Sequence, residues 1–417
     1  MGEHKLIKSL TMFSSTIKIS SVSDYIIPSQ ECIKPLMKNV KLQLDDPSIQ
    51  LKPNLIKNQN NVAKVSLQDC LACSGCVTTA ETILIQTQSL EEFLQAIKKY
   101  QNPAIGISPQ ARASLSYVLN FTDSEMHSIL HQIFQEMNVK LYDMTEYMKI
   151  AINNSIQEFK QTNITPLLCS ECPGWVCYAE KTLDESIINH MSKVKSPQQI
   201  FGAIQKKNHD YIATIMPCYD KKLEAVRQEN NEDINIVLST REIEQFVKDY
   251  IQKINIIPQQ IQLQTMAINF QEYHNTSSNN YLDYIIQSVL MPNWTVKYNI
   301  RKNKDFNEIT IYNEKMELQG IYARVFGLKN IANLISQIKT KTCKYKYVEI
   351  MACPLGCLNG GGQIQIQKNT EKAIDLIPKL KDIMISQKVQ LDNSYQNEQE
   401  IFLTQFKHIK NENNFQW

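Results

Sequence analysis

Asp69-Cys70-Leu71-Ala72-Cys73-Ser74-Gly75-Cys76 places three cysteines at two-residue intervals. That spacing wraps three thiolates around one corner of an object larger than a single ion, and it is the ferredoxin-type opening of a 4Fe-4S site. A chain with such a loop folds around an inorganic body or leaves three thiols crowded together. The ferredoxin pattern asks for a fourth cysteine four positions on, where this chain has Ala80, and Cys32 is the only other cysteine in this part of the chain. A zinc site is one alternative, although structural zinc usually takes two separated C-x2-C pairs. Plain buried thiols are another.

A second set of cysteines is dispersed. Cys172 stands in ECPGW, Cys218 in MPCYDKK, and Cys353 and Cys357 in MACPLGCLNGGGQ. Each set of loop residues contains Pro or Gly and follows an apolar run that reads as a strand: 165–168, 211–216 and 347–351. The theme is strand, cysteine loop, helix, and ligands of open α/β sheets collect at the carboxyl ends of strands. Four thiolates match one 4Fe-4S cubane. A ligated cluster is anionic, so N–H groups at helix N-termini and at the Gly360-Gly361-Gly362 turn suit it, as do Lys221 and Lys222 just after Cys218. The bland alternatives are a solvated helix face for the lysines and unrelated core thiols for the cysteines. The three glycines lack the spacing of a dinucleotide fingerprint.

Composition sharpens this. Eleven cysteines, an odd number, occur without a secretion-type N-terminus, so a reducing compartment with metal or redox roles is expected rather than disulfides. Only 11 glycines are present, and Gly75, Gly174, Gly356, Gly360, Gly361 and Gly362 all lie close to a cysteine, which suggests loops folded tightly around sulfur-held cargo. The net charge of +2 removes the simplest argument for a nucleic acid or an anionic membrane as partner. No apolar run reaches the ~18 residues that span a bilayer. Gly2 resembles a myristoyl acceptor, but Leu6 stands where Ser or Thr is wanted. A soluble intracellular protein is expected.

Further strands are expected at 103–107, 234–238, 306–312 and 322–326, and helices at 90–100 and 330–338, with Ser239 or Thr240 capping a helix that has Glu242 in its first turn. Alternating strands and helices predict an α/β fold of mostly parallel sheets. The expected division is an iron–sulfur region at 1–100, a first lobe at 101–240, a second lobe at 241–385 and a polar tail at 386–417. The Gln/Asn-rich stretch 258–280 reads as a surface insertion. Cys169, Cys177 and Cys343 read as core thiols, with Cys169 as a possible spare ligand or redox thiol. His127 and His131 suit packing better than zinc. Trp417 reads either as a docking signal or as a tail end without meaning.

At this point the motifs resemble a known family. ECPGW, MPCYDKKLEA and VEIMACPLGCLNGGGQ are similar to the three signature loops of iron-only (FeFe) hydrogenases. PSQECIKP, VSLQDCLACSGCVTTAET, ISPQARASL, CPGWVCYAEK and SPQQIFGAI resemble more closely the eukaryotic iron-only hydrogenase-like, or nuclear prelamin A recognition factor-like, assembly factors. The likeness runs from about residue 24 to 365. It implies a two-lobed FeFe-hydrogenase-like core with a small N-terminal iron–sulfur domain. It implies two 4Fe-4S clusters, one on Cys32, Cys70, Cys73 and Cys76, the other on Cys172, Cys218, Cys353 and Cys357. Lys221 matches the hydrogenase lysine that contacts a diiron cyanide, and Cys357 the cysteine that bridges to the diiron unit. Glu171 replaces the proton-relay cysteine, so no catalytic residue is assigned. The resemblance implies an assembly factor of the cytoplasm, with the nucleus as a second location, that links early scaffold NTPases to a late targeting complex with a WD40-repeat subunit, read through Trp417. A hydrogenase and a prelamin-tail binder are the rival readings.

Overall fold

The computed structural model describes residues 79–227, 233–254, 280–300, 303, 305–364, 373–385 and 402–409. Cys32, Cys70, Cys73, Cys76, Trp417 and the insertion up to residue 279 lie outside the described residues.

The strands in chain order are β1 (Pro103–Ile107), β2 (Lys140–Asp143), β3 (Leu167–Cys169), β4 (Tyr211–Met216), β5 (Ile236–Ser239), β6 (Thr295–Ile300), β7 (Phe306–Tyr312), β8 (Leu318–Phe326) and β9 (Tyr347–Met351). One sheet has the order β2-β1-β4-β5, and all its pairings are parallel. The other has the order β3-β9-β8-β7-β6: β3, β9 and β8 are parallel, and β8-β7-β6 is an antiparallel meander. The fold is the α/β, parallel-rich architecture that the sequence predicts.

The chemistry of the strands explains the layers. β1, β4, β5 and β9 are nearly unbroken apolar runs, and every residue in them is buried. Strands covered on both faces have no reason to alternate apolar with polar, which is the habit of parallel sheets between helices. The polar exception in β4, Thr214, donates its hydroxyl hydrogen to Gln198 Oε1 at 2.9 Å.

Helix starts are written locally. Ser108 caps the Pro109–Leu119 helix through Ala111 N, with Pro109 in its first turn. Ser196 and Gln199 form a capping box at the head of the Pro197–Gln205 helix. Ser239, the last residue of β5, accepts from Glu242 N at 3.3 Å while the Glu242 carboxylate accepts from Ser239 N at 2.8 Å, so the cap is Ser239.

Three features depart from the sequence expectation. β2 and β6 were not anticipated; both are short edge strands of mixed polarity. β3 lies within 101–240 yet pairs with β9, so the two sheets are interleaved in sequence. One core cluster joins them, with Ile212, Met216 and Val237 of the first sheet beside Leu167, Tyr322 and Tyr347 of the second. The stretch expected to be a polar tail also contributes to the core. Phe402 is fully buried in the same cluster, and Leu403 bridges to Val194.

Candidate metal centre

The three cysteine loops leave the carboxyl ends of β3, β4 and β9, and they are bonded to one another. After β3, Ser170 donates its hydroxyl hydrogen to Ile350 O at 2.6 Å, and Cys172 N donates to Ser170 Oγ at 3.1 Å. Ala352 N donates to Cys172 Sγ at 3.4 Å. Cys172 is also the N-cap residue of the Pro173–Thr182 helix, with its thiol at the positive end of that helix. The loop after β9 folds back through Gly356 N to Cys353 O at 3.2 Å, and Cys357 opens a short 3-10 turn.

The glycine turn locks this loop onto the one after β4. Gly362 N donates to Pro217 O at 3.0 Å. A Cβ on Gly360 would lie 2.3 Å from Pro217 O, so only glycine allows the two backbones to meet here.

Cys172, Cys218, Cys353 and Cys357 all line one cavity. Its other walls include Met144, Met148, Met216 and Met351, with Ser108, Gln110, Glu171, Asp220, Lys221 and Gly360. Burial, and then the Asp220 carboxylate, push the Cys172 thiol up to about 11. The same causes raise Cys218 well above the ordinary thiol range. Cys357 rises likewise, through burial and then Glu171. Such thiols stay protonated unless a bound cation displaces their protons. Among the described residues no three His, Cys, Asp or Glu side chains gather tightly enough for a single ion. A cubane asks for something else: one thiolate per iron, spread around a body several ångströms wide. Four thiols from three loops, with no histidine among them and a mostly apolar cavity between, fit that donor set.

The two lysines separate. Lys221 lines the cavity; its Nζ donates to Glu171 O at 2.9 Å and to the Glu224 oxygens at 2.9 and 3.1 Å. Glu224 also accepts from Ser196 Oγ and Gln198 Nε2, both at 3.0 Å. The lysine ammonium is thus held in an internal ion pair, and burial opposed by Glu224 and Glu171 leaves it raised. Lys222 does not line the cavity. It is fully buried and reaches the other way, to Gln88 O and to Glu242 Oε1 at 2.7 Å. Its expected place beside the cluster is therefore corrected, and neither lysine lies on a solvated face. Successive helix residues point about 100° apart, which is why neighbours diverge. Gly360 lines the cavity and Gly361 does not.

Of the remaining cysteines, Cys169 faces Ser155 Oγ at 3.5 Å on the far side of β3, and burial pushes it up to about 12. It does not line the cavity; nor do Cys177 and Cys343. His127 and His131 join no metal-binding group among the described residues. The sequence reading missed Met144, Met148, Gln110 and Glu224. The i, i+4 spacing of the methionines is visible, but it does not distinguish a cavity wall from ordinary core.

Residues 101–361 match the family described as iron only hydrogenase large subunit, C-terminal domain. The chain is 34% identical to Protein NAR1 of Arabidopsis thaliana, over 92% of this chain and 90% of that one. It is 34% identical to the cytosolic Fe-S cluster assembly factor narfl of Xenopus tropicalis, over 89% and 88% of the two chains. An FeFe-hydrogenase HydA1 variant from Chlamydomonas reinhardtii superposes with a TM-score of 0.56 at 18% identity, covering 74% of this chain and 94% of the other. That likeness shows the fold. Because the family match spans most of the chain and the relatives are one-third identical along almost all of it, the chain belongs to the iron-only hydrogenase-like family, in the company of the eukaryotic cytosolic iron–sulfur assembly factors.

Proposed function

We propose that this protein is a cytosolic iron–sulfur assembly factor that holds a 4Fe-4S cluster on Cys172, Cys218, Cys353 and Cys357. The observation that carries this reading is the convergence on one cavity of these four thiols, Cys172 and Cys218 buried and Cys353 and Cys357 partly buried. A second cluster on Cys32, Cys70, Cys73 and Cys76 completes the proposal, motivated by the C-x2-C-x2-C run. The protein would act in the cytoplasm between early scaffold NTPases and a late targeting complex, with Trp417 as a docking residue. The names of the relatives support the assembly role.

When bound, the cluster supplies one-electron chemistry and fixes the spacing of three loops. The chain's own residues do the rest. The four thiols anchor loops from both sheets, so the site staples one sheet to the other. Met144, Met148, Met216 and Met351 give the cavity an apolar wall. Ala352 N and the Cys172 helix terminus present N–H groups to sulfur.

The proposal also holds that the protein does not turn over hydrogen. Glu171 stands at the relay position, and its carbonyl is bonded by Lys221, whose charge is committed to Glu224. Proton transfer needs a group free to move its proton at the reacting atom.

Anaerobic reconstitution with iron, sulfide and EPR tests the reading. Cys218→Ala or Cys353→Ala is expected to lose about half the iron and to destabilise the chain. Wild-type iron content in both variants, or zinc in place of iron, overturns the ligand assignment. Hydrogen formed above a Cys172→Ala control, with a low-potential donor, overturns the non-enzymatic reading.

A further inference from the structure

The C-terminal segment 402–409 is bonded to two stretches of chain that lead to cavity-lining residues, Pro197 on one side and Cys172 on the other. On one side it pairs with 193–195: Lys195 N donates to Phe402 O at 2.8 Å, and Thr404 N to Lys193 O at 2.7 Å. The chain continues from there into Ser196, which bonds Glu224, and Pro197, which lines the cavity. On the other side the segment meets Glu180, near the end of the helix that Cys172 caps. Lys407 N donates to Glu180 Oε1 at 3.2 Å, and Ile409 N to Glu180 O at 2.8 Å. The Glu180 carboxylate also takes both arms of Arg227, at 2.8 Å each. Arg227 follows the Asp220–Ala225 helix, which begins two residues after Cys218. Phe402 seals the arrangement in the core that joins the two sheets.

We propose that 402–409 is a strap whose seating is thermodynamically coupled to cluster occupancy of the cavity, with Glu180 as the positioning residue that ties strap, Cys172 helix and Cys218 helix together. This inference rests on the reading that the cavity holds a cluster. The physical argument is linkage. Glu180 lies on the helix that Cys172 caps and Arg227 follows the helix after Cys218, so a cluster that sets the spacing of those two loops also favours the arrangement in which Arg227 holds the Glu180 carboxylate toward Lys407 N and the Glu180 carbonyl meets Ile409 N. Whatever the cluster does for the strap, the strap does for the cluster by the same factor. Glu180 touches none of the four cysteines, and its buried carboxylate carries no part of the donor set.

The test uses the full chain, with iron loaded anaerobically and then stripped by a chelator. Amide exchange at Thr404 and Ile409 is expected to quicken at least tenfold on stripping. Thr404→Pro, which removes the N–H bonded to Lys193, and Glu180→Gln are expected to speed iron loss to the chelator at least tenfold. Ile133→Ala, a core truncation in the cluster that packs on the β2-β1-β4-β5 sheet and lacks Phe402, controls for general loosening and is expected to change that rate little. Iron held by the cavity with exchange indifferent to its removal overturns the coupling alone. Equal acceleration by Ile133→Ala also overturns it. Wild-type iron content in Cys218→Ala overturns both the coupling and the cluster reading beneath it.

Discussion

Gly360→Ala probes the contact on which the four-cysteine arrangement depends. An added Cβ would sit 2.3 Å from Pro217 O, 3.1 Å from the Pro217 carbonyl carbon and 3.0 Å from Cys357 O. Non-bonded carbon contacts are comfortable near 3.5 Å, so the Pro217 and Gly360 backbones must part by about 1 Å. All three obstacles are backbone atoms, and no side chain can swing aside. Overpacking of this kind costs about 1–3 kcal/mol, and a backbone clash belongs at the upper end. At a few degrees per kcal/mol, Tm of the metal-free chain is expected to fall by roughly 5 °C or more. The two loops that separate carry Cys218 and Cys357. Metal–ligand distances tolerate only about 0.2 Å, so the cavity is expected to lose its cluster as well. Thermal unfolding of the metal-free protein measures the first effect, and iron and sulfide per chain after anaerobic reconstitution the second. A Gly360→Ala protein with unchanged Tm and full iron content would refute the argument that this close approach shapes the site.

Lys221→Met is expected to cost about 3–5 kcal/mol in urea unfolding of the metal-free chain, because it leaves the buried Glu224 carboxylate without its cation; Lys221→Met/Glu224→Met should recover most of that loss, and a double variant no better than the single would show that the pair is not what Lys221 serves. His127 is held down to about 4, by burial first and then by Arg112, against an ordinary value of 6.5. The unfolded chain therefore binds this proton more readily, so up to about 3 kcal/mol of stability is present above pH 6.5 and lost as pH falls toward 4. His127→Gln should flatten that part of the stability–pH curve, and an unaltered slope would count against it. Cys169, raised to about 12, should stay unmodified by iodoacetamide at pH 8 in the native chain yet react in urea, as mass spectrometry would reveal; native labelling would favour a redox or spare-ligand role.

The sequence by itself determined where the chemistry is carried. Apolar runs such as 211–216 and 347–351, broken by Pro or Gly beside cysteine, are local signals. A strand buried on both faces needs an unbroken apolar run, and a sharp turn needs Pro or Gly. Cap residues such as Ser108 and Ser196 are equally local, since a side chain reaches an N–H only three residues away. From these the α/β class, the strand–loop–helix unit and the four converging cysteines were readable.

Other features were decided only in three dimensions. β3 pairs with β9 across about 180 residues, and nothing in Leu167–Cys169 says which sheet it joins. Lys221 and Lys222 are identical as letters, yet one lines the cavity and the other holds Gln88, because a single step along a helix turns the side chain about 100°. Phe402 lies in a stretch that reads as polar tail, and it fills a core gap assembled from both sheets. Gly360 differs from Gly361 through the carbonyl of Pro217, which another strand brings to it. Local backbone preference and burial pattern are written within a few residues, whereas the partner of each strand, lysine and glycine is set by chain closure over long separations, where only the packed structure brings the groups into contact.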